Sequence, residues 1–483
     1  MAVGSSNDFD LVVLGAGTGG YTAAFRAAQL GLKVALVDEA KIGGTCLHIG
    51  CIPTKALLES AAFYERIHHA ADFGINFTAD GVEPVVDYAK MAARRDQVVK
   101  RMWTGLKSLI DKNKIAWIQG RGVLEGGRQV RVQMAGDDGT PGAGGERILQ
   151  GNDVILATGS RVKSLPGLDI DHERIVTSDD VLASTSLPKS VIVVGAGAVG
   201  VEFASMYRDL GVKVSVLEYL PAVVPLEDRE VSQALERSFT RRGITVMTNA
   251  RFDTSVVKSG KDGVSLMVGP EGKDQVEMSA EIMLVATGRA PNTEKVGLES
   301  TRAELDRGFV KVDARMRTKE PHLYAIGDVI GGLMLAHTAA HEGIVAAGII
   351  AGLKDVHPVD YVKQPRATYC RPEIASIGLT EQQCQEKNLP YKVGKVPFQA
   401  IAKAVIGGEY EGFAKVIGHK DTNDTLGVHI IGPHATDLIA EASVAFDLDA
   451  TPWEIGGSTH PHPTLSEVLG EAALNVDGRS INF

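Results

Sequence analysis

Short apolar runs closed by glycine punctuate this chain, and between them lie longer stretches whose apolar residues return every three or four positions. The run Asp10-Leu11-Val12-Val13-Leu14 predicts a buried strand. It leads into Gly15-Ala16-Gly17-Thr18-Gly19-Gly20, and a helical pattern then runs from Tyr21 to Leu30, where Gly31 stops it. A second strand, Lys33 to Val37, ends at Asp38. Strand, glycines, helix, strand and acid in this order predict a β-α-β dinucleotide unit. Its glycines let the backbone approach a pyrophosphate at a helix N-terminus, and its acid can bind a ribose hydroxyl.

From Ala56 to about Lys114 the pattern is helical, through Val98, Met102, Leu106 and Ile110. Short strands follow at Ala116–Ile118, Gly122–Leu124 and Gln129–Gln133, and the glycine-rich tract from Ala135 to Gly145 reads as a hairpin loop. An apolar strand from Asp153 then closes on the turn Thr158-Gly159-Ser160. After it the first pattern returns: Ser190 to Val194, then Gly195-Ala196-Gly197-Ala198-Val199-Gly200, a helix to Leu210, and Lys213 to Leu217 ending at Glu218. Gly15, Gly17, Gly20 and Asp38 map one for one onto Gly195, Gly197, Gly200 and Glu218 at a constant offset, so the repeat means two dinucleotides or one vestigial unit, and the first is favoured because both units keep every element. A carboxylate at Glu218 accepts from a ribose 2′-hydroxyl and repels a 2′-phosphate, which selects NAD over NADP. This second unit also ends in an apolar strand and a turn, Thr287-Gly288-Arg289. Tyr324-Ala325-Ile326-Gly327-Asp328 is a further strand, followed by a small-residue helix from Ala336 to Ile350. From about Tyr361, strands alternate with helices as in a separate α+β unit.

Composition narrows the class. The 483 residues carry a formal net charge of −10, with no basic patch, so neither nucleic acid nor an anionic membrane surface is an expected partner. No apolar run reaches membrane-spanning length, and Met1 to Asp8 has no positive leader region, so a cytoplasmic location is expected. Four cysteines in a chain this long do not make a secreted disulfide framework. The adjacent His68-His69 predicts no metal site, because neighbours on a helix point apart.

The candidate chemistry centres on Gly43-Gly44-Thr45-Cys46-Leu47-His48-Ile49-Gly50-Cys51-Ile52-Pro53-Thr54-Lys55. A regular helix, rising about 1.5 Å per residue, would hold the two cysteine Cα atoms roughly 7.5 Å apart. A disulfide spans about 4.4–6.8 Å, so a bridge needs an irregular turn, which Gly50 permits. Cys51 would stand near the N-terminus of the next helix, where the dipole favours a thiolate. Two reduced cysteines that merely pack are the alternative, and the nucleotide patterns favour the redox reading. Near the C-terminus, in His460-Pro461-His462-Pro463-Thr464-Leu465-Ser466-Glu467, a histidine and a glutamate five apart suit a base and its orienting carboxylate.

Together these residues closely resemble the disulfide-dependent pyridine nucleotide oxidoreductases, over nearly the whole chain. The specific motifs are Gly-Gly-Thr-Cys with Gly-Cys-Ile-Pro, Gly327-Asp328 with Met334-Leu335-Ala336-His337, and the His-Pro-Thr-Leu-Ser-Glu ending. The resemblance implies an α/β chain with two Rossmann-like dinucleotide-binding domains plus a C-terminal α+β dimerisation domain. Its expected bounds are 1–160 and 290–360 for FAD, 161–289 for NAD and 361–483 for the interface. It implies a redox disulfide of Cys46 and Cys51, with Cys46 exchanging with substrate and Cys51 facing the flavin, and Lys55 near the flavin paired with Glu202. The FAD site would take Gly15, Gly17, Gly20, Asp38, Gly44, Thr45, Gly122, Thr158, Gly159, Asp328 and Ala336. The NAD site would take Gly195, Gly197, Gly200, Glu202, Glu218 and Gly288. A homodimer would bring His462, oriented by Glu467, to the disulfide of the other subunit. The implied substrates are dihydrolipoyl groups on proteins of 2-oxoacid dehydrogenase or glycine cleavage complexes, oxidised with reduction of NAD⁺. His48, Thr54, Pro461 and Cys370 depart from the usual family residues, and none of these departures removes a catalytic group.

Overall fold

The computed structural model of the chain describes residues 8–76, 84–136, 140 and 142–483. The readings of the first seven residues, and of positions 137–139 and 141 in the glycine-rich tract, fall outside them. In chain order the principal helices are α1 (Thr18–Gln29), α2 (Gly44–Ile49), α3 (Cys51–His68), α4 (Tyr88–Lys112), α5 (Ala198–Asp209), α6 (Arg229–Arg241), α7 (Ala336–Ile350), α8 (Ala435–Asp447) and α9 (Glu467–Asn475). The chain divides into two compact units. The first comprises the residues up to Ala56, Ala93–Lys163 and Arg289–Tyr361; the second comprises Leu57–Ala92, Ser164–Gly288 and Val362–Phe483.

In the first unit, strands Asp8–Leu14, Val34–Asp38, Ala116–Leu124, Gln129–Met134, Glu146–Leu156 and Leu323–Ala325 form one sheet. Strand Asp8–Leu14 is central and parallel to both Val34–Asp38 and Glu146–Leu156, with Leu14 opposite Val37 on one side and Leu156 on the other. A strand flanked on both sides reads as unbroken apolar sequence, and Leu11, Val12 and Val13 are fully buried. Helices α1 and α7 pack closely through small residues. A Cβ on Gly19 would stand 3.0 Å from the Ala339 carbonyl oxygen, and one on Gly343 would stand 2.7 Å from that of Gly19.

The second unit holds a parallel five-stranded sheet in the spatial order Thr245–Met247, Lys213–Leu217, Ser190–Val194, Ile282–Val285, Ile175–Val176. It also holds an antiparallel five-stranded sheet in the order Arg366–Thr368, Glu373–Gly378, Thr425–Gly432, Phe413–His419, Tyr391–Pro397. Ile439 and Phe446 of α8 and Val468 and Leu469 of α9 pack with Val416, Val428 and Ile430 of that sheet. Lys415, completely buried, ends among Asp228 at 3.0 Å, Glu230 at 2.9 Å and Glu381 at 2.6 Å. Burial alone would lower its pKa, but these carboxylates outweigh burial and raise it.

Two expectations change. The single helical stretch from Ala56 to about Lys114 is two helices, α3 and α4, with a 3-10 turn at Ala70–Phe73 after the first. Gly74 closes that turn, and Pro84, ahead of α4, has no amide to continue a helical ladder. The strands expected at Ala116–Ile118 and Gly122–Leu124 are one strand. Its first half pairs with Val34–Asp38 and its second half with Gln129–Met134.

Candidate active site

The two cysteines sit at a break between helices. Cys46 lies in α2, Cys51 opens α3, and Gly50 between them has φ −147° and ψ −116°, outside helical geometry. Thr54 ties the break down by donating its hydroxyl to the Gly50 carbonyl at 2.6 Å. The His48 Nε2 lies 2.9 Å from the Ile42 carbonyl oxygen. The irregular turn that the spacing demanded is present, and the structure carries both cysteines as thiols.

This segment is clamped to the first glycine loop. The Gly43 amide donates to the Ala16 carbonyl at 2.8 Å, and a Cβ on Gly44 (φ 57°) would stand 2.6 Å from the Gly17 Cα. Cys46 therefore lies beside the start of α1, hydrogen-bonded to Cys51 and to the Thr18 hydroxyl. The hydrogen bond from Cys51 lowers the Cys46 thiol most. Burial opposes it, Thr18 and the Lys55 charge add to it, and the thiol comes to about 7. Tyr21, one turn further along α1, is hydrogen-bonded to Thr18, and its own ionisation is pushed up chiefly by burial. A thiol poised near neutrality is a competent nucleophile for disulfide exchange.

The two glycine loops repeat in atomic detail. The Asp38 carboxylate accepts the Ala16 amide at 2.6 Å, and the Glu218 carboxylate accepts the Ala196 amide at 2.6 Å. Gly15 and Gly195 hold φ of 109° and 101°, where an L side chain is strained. A Cβ on Gly17 or Gly197 would meet nothing within 4 Å, so open space lies at the N-terminus of α1 and again of α5. Open space, helix amides and a carboxylate that retains acceptor capacity fit a dinucleotide pyrophosphate and ribose in each unit. Gly288 stands at φ 112° with open space beside it.

Around Asp328 the first unit builds a polar network. The Ser160 hydroxyl donates to Asp328 and receives from Arg289 Nε at 2.6 Å, while Arg289 Nε lies 3.7 Å from the Asp328 carboxylate. The Gly327 amide is held at 2.6 Å by Glu342, whose other oxygen accepts from the Tyr361 hydroxyl at 2.9 Å. Burial raises the Glu342 carboxyl above its ordinary range in spite of these donors. Thr158 and Gly159 are held by Asn292, which takes the Thr158 hydroxyl on its carbonyl at 2.7 Å and donates its amide to the Gly159 carbonyl at 2.9 Å. Ala336 is the first residue of α7. Thr45 lies in α2, one residue ahead of Cys46. Gly122 is buried, and a Cβ there would overlap Leu14 at 2.4 Å, which gives that glycine a packing reason.

The remaining residues belong to the second unit. Glu202 is buried and accepts the Tyr369 amide at 2.9 Å. His462, 71% exposed, has its Nδ1 2.8 Å from Glu467, whose other oxygen takes the Thr464 amide at 2.8 Å. Burial raises the Glu467 carboxyl, but His462 and the Thr464 amide outweigh it and leave the group below its ordinary value. The structure thus brings Cys46, Cys51, Lys55 and the first glycine loop together in one unit, and His462 with Glu467 in the other. Sequence reading missed Thr18, Tyr21, Ser160, Arg289, Asn292, Glu342 and Tyr361. A signal did exist for two of them, since Ser160 and Arg289 directly follow the two Thr-Gly turns.

The family described as pyridine nucleotide-disulphide oxidoreductase matches residues 9–343, and its dimerisation domain matches residues 364–473. A dihydrolipoyl dehydrogenase of Bacillus subtilis is 46% identical, covering 99% of this chain and 100% of that protein. One from Zymomonas mobilis is 41% identical over 99% of this chain and 100% of its own. The crystal structure of LpdA from Mycobacterium tuberculosis has 28% identity and a TM-score of 0.87, covering 96% of this chain and 98% of the other. The flavoprotein disulfide reductase RclA of Escherichia coli, 24% identical with a TM-score of 0.82, shares the fold.

Proposed function

The chain belongs to the pyridine nucleotide-disulphide oxidoreductases, and from that premise we propose that it is a dihydrolipoyl dehydrogenase. It oxidises dihydrolipoyl groups to lipoyl and reduces NAD⁺ through a Cys46–Cys51 disulfide and FAD. The observation that carries this reading is the Cys46 sulfur, held near neutral pKa beside Cys51 and clamped to the first glycine loop. A pair tuned in this way and fastened to a nucleotide site has no use in a passive scaffold.

In this reading the first unit holds FAD through Gly15, Gly17, Gly20, Asp38, Gly44, Thr45, Thr158, Gly159, Asp328 and the start of α7. The second holds NAD through Gly195, Gly197, Gly200, Glu218 and Gly288. FAD, when bound, would supply the two-electron acceptor and hydride donor between the thiols and NAD⁺. His462 takes a proton from the substrate dithiol, and Glu467 holds the ring in the orientation that leaves Nε2 for that proton. The substrate thiolate attacks Cys46, and exchange releases the oxidised lipoyl group and leaves both enzyme sulfurs reduced. Lys55 favours the thiolate form by its charge. The match to a dimerisation domain supports a homodimer in which His462 serves the disulfide of the second subunit. Lipoyl-bearing proteins of 2-oxoacid dehydrogenase or glycine cleavage complexes are the partners, in the cytoplasm.

The test is anaerobic NADH formation with dihydrolipoamide, followed by titration of the enzyme with NADH under absorbance. Dithiol-dependent NADH and a long-wavelength charge-transfer band at two electrons are expected. Turnover of another disulfide with none of dihydrolipoamide would refute the substrate assignment, and NADPH in place of NADH would refute the role of Glu218.

A further inference from the structure

Two residues ahead of His462 stands a second imidazole in a contrasting setting. His460 is only 12% exposed, its Nε2 lies 2.8 Å from Glu441 Oε1, and Glu441 projects from α8. The ring also seats on α9. A Cβ on Gly470 would come within 2.9 Å of both Cε1 and Nδ1, so this ring occupies the space that a side chain at 470 would need. His460 is therefore pinned between two helices that both pack on the antiparallel sheet.

His462 has no such seat. Its ring is mostly in solvent and is steered through Glu467, the first residue of the same helix α9. The short link between the rings is tied back as well, since Thr464 donates its hydroxyl to the Pro461 carbonyl at 2.7 Å. Position and aim thus arise separately. Glu467 sets the rotation of the imidazole, while the backbone that carries it departs from the buried His460.

We propose that His460, held by Glu441 and seated on Gly470, is a positioning residue that fixes where His462 presents its imidazole to the dithiol. This rests on the function proposed above. A base displaced by about 1 Å can lose up to roughly a hundredfold in rate, so a loosened anchor reports in proton transfer from the dithiol and not in electron transfer from NADH.

The test uses the FAD-loaded enzyme and separates the two half-reactions by stopped flow. His460→Ala is expected to slow reduction by dihydrolipoamide about tenfold or more, with NADH-to-ferricyanide turnover and FAD content within twofold of wild type. Glu441→Ala should match it. The double variant should be no worse than either single one, because both remove one anchor. His460→Gln, whose amide can still donate to Glu441, should recover part of the loss. Gly470→Ala, which displaces the ring without removing it, should reproduce the loss. Dithiol oxidation within twofold of wild type in His460→Ala, multiplicative losses in the double variant, or an equal fall of ferricyanide turnover would each overturn the proposal. Wild type inert toward dihydrolipoamide would instead sink the substrate assignment. The anchor is then read from the same ratios with dithiothreitol as the reductant.

Discussion

The amide of Gly43 donates to the carbonyl of Ala16 at 2.8 Å, so the cysteine segment and the first glycine loop are one rigid piece of backbone. Gly44 completes the joint, because only a residue without Cβ can lie against the Gly17 Cα at φ 57°. Gly44→Ala should force the two segments apart. A strained left-handed residue costs about 1–2 kcal/mol, before any overlap with Gly17. FAD retention should fall about tenfold or more, read as flavin released on ultrafiltration. Unchanged retention would show that the joint is not needed for the cofactor.

The acidity of Cys46 is testable in the reduced enzyme. A thiol at about 7 should reach half-maximal alkylation by iodoacetamide near that pH, whereas an ordinary cysteine does so near about 8.5. Thr18→Val and Lys55→Met each remove a group that favours the thiolate, so each should move the midpoint upward. Mass spectrometry of the Cys46 peptide across pH gives the curve, and a downward or absent shift in both variants would contradict this origin of the acidity.

Glu218 should decide the nucleotide. Its carboxylate already holds the Ala196 and Leu220 amides at 2.6 and 2.8 Å, which aims the remaining acceptor positions toward the loop. Glu218→Gln keeps the shape and removes the charge. Loss of a charged hydrogen bond to a ribose hydroxyl weakens NAD⁺ by roughly tenfold or more, while repulsion of a 2′-phosphate is relieved. The ratio of kcat/KM for NAD⁺ over NADP⁺ should therefore fall, and a steady-state comparison of the two nucleotides measures it.

Lys415 is a stability element rather than a catalytic one. Lys415→Met would leave Asp228, Glu230 and Glu381 facing one another without their cation, a change that costs about 3–5 kcal/mol. The pH dependence follows from the shifts. The raised Lys415 stabilises the native enzyme fully below the ordinary lysine pKa, and that contribution fades as pH climbs through its folded value. For Asp228 and Glu230, burial raises the carboxyls but the neighbouring cations more than offset it. Their contribution is present above the ordinary carboxylate range and is lost as pH falls through their lowered values. Urea midpoints of the variant should lie well below wild type at pH 7 and approach it only as pH falls below the ordinary carboxylate range, through the lowered values at which the native carboxylates take protons.

Much of this was legible from residue order because it depends on local geometry. Strand, glycine turn, helix and acid are contiguous, so the Asp38 and Glu218 carboxylates could be placed on their loops before any contact was known, and the offset repeat exposed both units. Cys46 and Cys51 lie close enough in the chain for their spacing to demand an irregular turn, and Gly50 supplies it. The pairing of His462 with Glu467 follows in the same way from proline-bounded spacing at a helix start.

Residue order by itself determined the strands, the glycine turns, the paired cysteines and the histidine with its glutamate, because each is set by dihedrals and spacings within a few residues. Only tertiary structure could decide that Thr18 meets Cys46, that Ser160 and Arg289 converge on Asp328, and that Glu441 takes hold of His460. Those partners come from separate elements. Their meeting depends on how sheets and helices pack, and packing is settled by burial summed over the unit rather than by any pattern along the chain.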